Sequence, residues 1–267
     1  MAIATVNDIA SGLNSSQKQP YMKILTAPKA AGAYQSAWLA PGQPGAGNTP
    51  PVYTAGSGYT CDRTTAGAIS YTNGAVQNWI AKMSGQSGVR GTIVLYDRLW
   101  SCSGIPFGGA TTYTITTPGS LPARITDGGV GVEVWSEQFV AAGAASGTLT
   151  VTYVNSSSVG SRTGVSPAVV SAPVAGQLQQ VPLQVGDVGI SQITSTINSA
   201  TWTSGSRGLT LMKRICEIPV SVIGGSNTFD WAQVLSKVPS DACLALYWLA
   251  ETTTAPTVAG LIDIIDK

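Results

Sequence analysis

No stretch of this chain keeps a helical apolar period for more than about twelve residues, while short β-branched and aromatic runs recur between clusters of Gly, Ser, Asn and Asp. A chain punctuated in this way has no crossover helices with which to build a parallel sheet. The runs fall at 91–96, 111–117, 130–136, 148–154, 178–185, 190–197, 209–215, 243–249 and 258–264. The clearest is Thr148-Leu-Thr-Val-Thr-Tyr-Val154, with Leu149, Val151 and Tyr153 on one face and threonines on the other. Between the runs stand Asp127-Gly-Gly129, Asn155-Ser-Ser-Ser158 and Gly186-Asp-Val-Gly189, all turn formers. Nine such strands predict a mainly β fold: an antiparallel β-sandwich, jelly-roll-like, with an extended N-terminal arm and two or three short helices.

Three helices are predicted. Thr5 and Asp8 fit a capping box ahead of Val6, Ile9, Ala10 and Leu13, which share one face. Asn73 opens a second segment in which Val76, Trp79, Ile80 and Met83 have helical spacing and Gly85 is the stop. Thr228 caps a third over 229–235, ended by Pro239. Pro20 and Pro28 follow the first helix, and 41–51 packs four prolines and three glycines into one stretch. Such a stretch resists helix and ladder alike, so residues 1–64 are expected to form an arm and 65–267 the sandwich. The anchors Tyr21, Ile24, Leu25, Tyr34, Trp38 and Leu39 suit an arm lying in a groove of its own domain or of a neighbouring subunit.

The chain has no histidine, which excludes an imidazole base, a His-ligated zinc and a histidine titration switch. Charged residues are only 10%, with 14 basic and 13 acidic side chains and a net charge of +1. Proteins that grip nucleic acid need clustered Lys and Arg, and here the densest cluster is the pair Lys213 and Arg214, which reads as a solvated strand end. The longest apolar run, 242–250, falls well short of the roughly 20 residues of a membrane helix. The first eight residues lack the basic and apolar regions of a secretory signal, so synthesis and folding in the cytoplasm are expected. Cys61, Cys102, Cys216 and Cys243 have no Cys-x-x-Cys spacing; they read as buried thiols, with pairing of two in an oxidising exterior as the alternative.

The carboxylates offer few catalytic arrangements. Glu133 and Glu137 lie four apart, about 13 Å along a straight strand, too far for either glycosidase geometry. They read as solvent-side charges beside Trp135. Asp97 and Arg98 follow the run ending at Tyr96; Asp97 is expected to cap a turn while an Arg pairs with a carboxylate. There is no Gly-x-Ser-x-Gly elbow, phosphate loop or calcium-type Asp cluster. Trp79, Trp231 and Trp248 sit within apolar patterns that suit core or interface packing better than sugar stacking. No catalytic, cofactor-binding or metal-ligating residue is assigned, and the expectation is a protein that is not an enzyme.

Five segments carry a resemblance: Leu95-Tyr-Asp-Arg-Leu-Trp100, the stretch from Trp38 to Gly47, Thr152-Tyr-Val-Asn155, Gly160-Ser-Arg-Thr163 and Leu183-Gln-Val-Gly-Asp187. They resemble a family of tailed-bacteriophage virion structural proteins, over most of the chain from about Trp38 onward. The resemblance implies a virion component assembled in the host cytoplasm. Its partners would be copies of itself, as a homo-oligomer such as a trimer, and the major capsid or other virion proteins, reached through the arm. No direct nucleic-acid or membrane contact is implied. The shell proteins of such phages are built around a long spine helix, which is not predicted here, so a capsid decoration or cement protein is expected. A major capsid protein, a tail-tube or other tail component and a carbohydrate- or receptor-binding module of the virion are the alternatives, with a glycan-active enzyme using Glu133 or Glu137 as the last.

Overall fold

The alternation at 148–154 becomes a strand whose buried and half-buried residues alternate along its whole length. The computed structural model describes residues 5–54, 59–115, 121–144, 146–169 and 171–267. Helix α1 (Val6–Asn14) leads into β1 (Gln17–Ile24), β2 (Tyr34–Ser36), β3 (Gly42–Gln43) and β4 (Tyr59–Thr60). Then come β5 (Asn78–Ser87), β6 (Gly91–Pro106), β7 (Thr112–Thr114), β8 (Val132–Glu137), β9 (Leu149–Asn155) and β10 (Arg162–Val165). These are followed by β11 (Gln177–Val181), β12 (Ile190–Asn198), β13 (Ser206–Val220) and β14 (Ser226–Phe229). Helix α2 (Trp231–Val234), β15 (Ser236–Val238), β16 (Leu244–Ala250) and β17 (Thr257–Asp266) complete the chain. The fold is mainly antiparallel β, a β-sandwich class, as the turn-punctuated sequence requires.

The chain divides into two compact units. The first comprises Met1–Asn48, Asp62–Asp97 and Ile215–Lys267. In it β14, β5, β17, β1 and β3 lie side by side, with β15 also on β5, while β16 pairs with β2 and with the first part of β6. Tyr21, Ile80, Met83, Ile262 and Ile264 of one sheet share a buried cluster with Ile93, Leu95, Leu244 and Leu246 of the other. Burying each such side chain contributes about 1.5–3 kcal/mol. Gly85 sets how closely the layers approach: a Cβ there would lie 2.6 Å from Ile93 Cδ1 and 2.7 Å from Ile218 Cδ1.

The second unit comprises Thr49–Cys61 and Arg98–Arg214. One sheet runs β10, β9, β12, β7. In the other ladders β8 stands between β11 and the first part of β13, and β4 pairs with the second part of β6. Leu149, Val151, Tyr153 and Ile193 of the first sheet cluster with Val132, Val134, Leu209 and Leu211.

Several expectations change. The predicted helix at 73–83 is instead β5, paired with β17 from Asn78 to Ser87. Ile80 and Met83, three apart, would fall on opposite faces of a regular strand, but the register shift between Asp263 and Ile264, opposite Ala81, brings both into one buried cluster. Asn73 is not a cap: its Nδ2 donates to Asp241 Oδ1 at 2.9 Å, and its Oδ1 accepts the Asp241 N–H at 3.1 Å. The third helix shrinks to α2, capped by Asp230 because Thr228 is already in β14. α1 forms as read, with the Thr5–Asp8 capping box and Ile9 buried. The residues read as an arm supply β1, paired with β17 over all eight positions, and bury Tyr21, Leu25 and Trp38 in the first unit. Of the run expected at 111–117, residues 112–114 form β7, and 116–117 lie outside the described residues.

Candidate functional site

Strand β8 puts Glu133, Trp135 and Glu137 on one face, but Glu137 is not a solvent-side charge. It is 1% exposed, and its Oε2 lies 2.7 Å from Arg98 Nη1 and accepts the Thr210 hydroxyl at 2.6 Å. The pair forms because β6 continues past Tyr96, where the sequence reading ended it, and carries Arg98 into the core of the second unit. The expected Arg–carboxylate pairing is therefore present. The turn-capping role for Asp97 is not: it is buried within β6, and its Oδ1 accepts the Cys243 N–H at 2.9 Å in the first unit. Glu133 is held by Trp135 Nε1 at 2.8 Å, Gln180 Nε2 at 3.3 Å and Arg214 Nε at 3.9 Å. With Glu137 fully desolvated and salt-bridged, the two carboxylates do not form an acid–base couple open to a substrate.

Lys213 and Arg214 do not end a strand, although Arg214 is exposed. They lie inside β13, where Lys213 Nζ meets Asp127 Oδ2 at 2.7 Å and Arg214 meets Glu133. All four cysteines are buried free thiols, and burial pushes those of Cys102 and Cys216 up to about 12. Of the tryptophans read as packing residues, Trp248 is buried, while Trp79 and Trp231 are half-buried against the cluster of Ile9, Ala81 and Ile265. Among the described residues no group of three or more Cys, Asp or Glu side chains could hold a metal.

Three segments that the sequence reading singled out as separate motifs meet at one place in the second unit. Asp187 accepts the Tyr153 hydroxyl at 2.6 Å, Asn155 Nδ2 at 2.7 Å and Arg162 Nε at 2.9 Å. The Tyr153 oxygen in turn accepts the Gln184 N–H at 2.8 Å. The Arg162 guanidinium, followed by the Tyr153 and Asn155 donors, holds the Asp187 carboxyl down at about 2. Burial, reinforced by the hydrogen bond to Asp187, pushes the Tyr153 phenol up to about 12. Gly186 turns the loop at φ +92°, a conformation that L side chains rarely adopt.

The loop so pinned forms one wall of a cleft of about 370 Å³, with Val132, Glu133, Gln180, Leu183, Asp187 and Val188 among its lining. At its lip Val185 is 96% exposed and Val188 63%, and Val130 nearby in sequence to the lining Gly131 is also exposed. Both carboxylates of the cleft are already engaged by cations. What it offers a visitor is aliphatic surface and amide side chains, a chemistry of contact more than of bond making. The sequence showed the motif segments but not their meeting point, because the pairing of β9 with β10 and β12 brings them together.

No family model and no curated protein matches the chain. Among solved structures it is similar to infectious bursal disease virus of the Gt strain, at 9% identity and TM-score 0.20, covering 94% of this chain and 80% of that one. It is also similar to a mutant VP2 protein of the same virus in T=1 particles, at 9% identity and TM-score 0.19, covering 99% and 84%. The Gx strain follows at 10% identity and TM-score 0.17, covering 94% and 81%. Likeness at this level carries no argument about the fold or role of this chain.

Proposed function

We propose that this chain is a non-enzymatic structural protein of a tailed-phage virion, a decoration or cement protein that stabilises the head through subunit contacts. The observation that carries this reading is the pinned loop 183–188. Four hydrogen bonds hold it in place while Val185 stands 96% exposed. Isolated exposed valines are ordinary, but Val185 and Val188 share one loop and Val130 is bridged to Gly189 beside it, in a chain with only 10% charged residues. A rigid apolar lip on a charge-poor surface suits contacts repeated by symmetry. The sequence resemblance to virion proteins points the same way. The contact first placed on the N-terminal residues moves to this loop, because β1 is committed to β17.

The test is association of the full chain. Sedimentation is expected to show a symmetric oligomer or binding to expanded capsids. Changing Val185 and Val188 together to Ser should weaken that association while moving stability by no more than about 0.5 kcal/mol. A monomer with no affinity for capsids, unchanged by the substitutions, would overturn the reading. Particle stoichiometry by mass spectrometry separates a decoration protein from a shell or tail component.

A further inference from the structure

The second unit contains six basic side chains, Arg98, Arg124, Arg162, Arg207, Lys213 and Arg214, and four acidic ones, Asp127, Glu133, Glu137 and Asp187. Each carboxylate already has its own cation: Glu137 has Arg98, Asp187 has Arg162, Asp127 has Lys213 and Glu133 has Arg214. Arg124 reaches the carbonyl oxygens of Cys61 and Arg98 at 2.7 and 3.2 Å. That leaves Arg207, and the unit has no acidic side chain left to meet it.

Arg207 is nevertheless buried, 2% exposed, and its Nε and Nη2 have no hydrogen-bond partner among the described residues. Its guanidinium carbon lies 5.2 Å from the centre of the Phe107 ring, and Phe107 stacks on Trp202 at 4.4 Å. A ring attracts a cation, but by only a fraction of what it costs to strip water from an ion. Burial accordingly pushes the guanidinium down to about 9. Nε and Nη2 form the side-on edge of the guanidinium, two parallel donors matched to a pair of oxygens on one anion. Trp202 belongs to a surface turn in which Thr201, Thr203 and Ser204 are exposed, so the stack lies just beneath the surface.

We infer that Arg207 is an oxyanion-binding residue whose Nε and Nη2 edge takes two oxygens of a carboxylate or phosphate. The anion comes either free from solution or as a carboxylate of a second copy of this chain. The test compares the full-length wild type with Arg207→Met and Arg207→Lys by thermal unfolding in inorganic phosphate, acetate and chloride at matched ionic strength. A parallel sedimentation series is run in chloride. If the source is free anion, phosphate or acetate raises the wild-type Tm saturably by roughly 4 °C, and both variants lose most of that rise. If the source is a second copy, Tm ignores the added anion, but the wild type self-associates and Arg207→Met does not. In either case Arg207→Met in chloride is at least as stable as the wild-type monomer, because an apolar side chain replaces an uncompensated ion. An anion response shared equally by all three proteins, no anion response together with unaltered association, or an Arg207→Met protein that is unfolded or several degrees less stable in chloride would each overturn the inference.

Discussion

The two units bury charge in different ways. In the first, Lys23 is 2% exposed, and its Nζ donates to the carbonyl oxygens of Ala40 and Gly45 at 3.0 and 3.1 Å. The β3 segment makes this possible by folding back on β1. At its turn Gly42 has φ +136°, and a Cβ would lie 1.9 Å from the Met22 oxygen. Asp97, also buried there, takes the Cys243 N–H. The first unit also has a buried carboxylate met by a side chain, Asp263 with Lys18 at 3.7 Å. In the second, all four carboxylates meet basic side chains, Arg124 reaches carbonyl groups and Arg207 meets no acid. A charge met by main chain depends on the path of the backbone, whereas a charge met by a side chain makes two residues depend on each other. Side-chain pairing therefore tolerates single changes least, and it leaves an orphan when the acids run out.

The largest effect expected from this contrast is at the dry ion pair. Glu137→Gln leaves Arg98 buried without a counter-charge and should cost about 3–5 kcal/mol in urea unfolding. Replacing Arg98 and Glu137 together by apolar residues of similar volume should recover most of that loss, because no ion is then stranded. If the single substitution costs less than about 1 kcal/mol, or the double variant is worse than the sum of the singles, the pair is not the mutual dependence described.

How much of this could be read in advance depended on whether a residue's partner was local. The Thr5–Asp8 box was legible because donor and acceptor lie three residues apart, and β9 because its alternation is its own evidence. The strand at Asn78–Ser87 was not, since Val76, Trp79, Ile80 and Met83 fit a helix until β17 is laid beside them. Strand β6 runs past Tyr96 although two consecutive charges normally mark an exit from the core. Asp97 and Arg98 stay inside with Cys243 and Glu137 among their partners, 146 and 39 positions away. At the candidate site Tyr153, Arg162 and Asp187 lay within segments already singled out, yet nothing local said they share one carboxylate. Arg207 had no sequence signal at all: its peculiarity is a missing partner, visible only once every other charge has been placed.

A smaller effect is expected where main chain does the work. Lys23→Met removes a charged donor from two carbonyl groups and should cost about 1–3 kcal/mol. Burial pushes the Lys23 ammonium down to about 8 from its ordinary 10.5. Between those values Lys23 holds its proton in the unfolded chain and has lost it in the folded one, so its own contribution to stability rises with pH across this window. From about 9 Arg207 adds a rise of the same sign and the buried Cys102 and Cys216 thiols add a fall, so Lys23 is read in the interval between 8 and 9. Urea midpoints across that interval should climb in the wild type and stay flat in Lys23→Met. Equal slopes in the two proteins would show that the carbonyl cage does not strain the ammonium.

The smallest effect sharpens the comparison within the second unit, where Asp187 meets Arg162, a side chain that is itself partly in water. Because the Asp187 carboxyl is held at about 2 in the fold and has an ordinary value of 3.8, the folded state binds fewer protons between those values. Its stabilisation is therefore complete above about pH 4 and is lost as the pH falls through about 2. Asp187→Asn should flatten that acid limb. It should also bring the Tyr153 phenol down from about 12, because the Asp187 hydrogen bond and charge add to the burial that raises it. A difference titration of phenolate absorbance between the two proteins checks this. An unchanged phenol in Asp187→Asn would mean that Tyr153 is perturbed by burial alone, and that the loop carrying Val185 is pinned by the remaining contacts without its carboxylate.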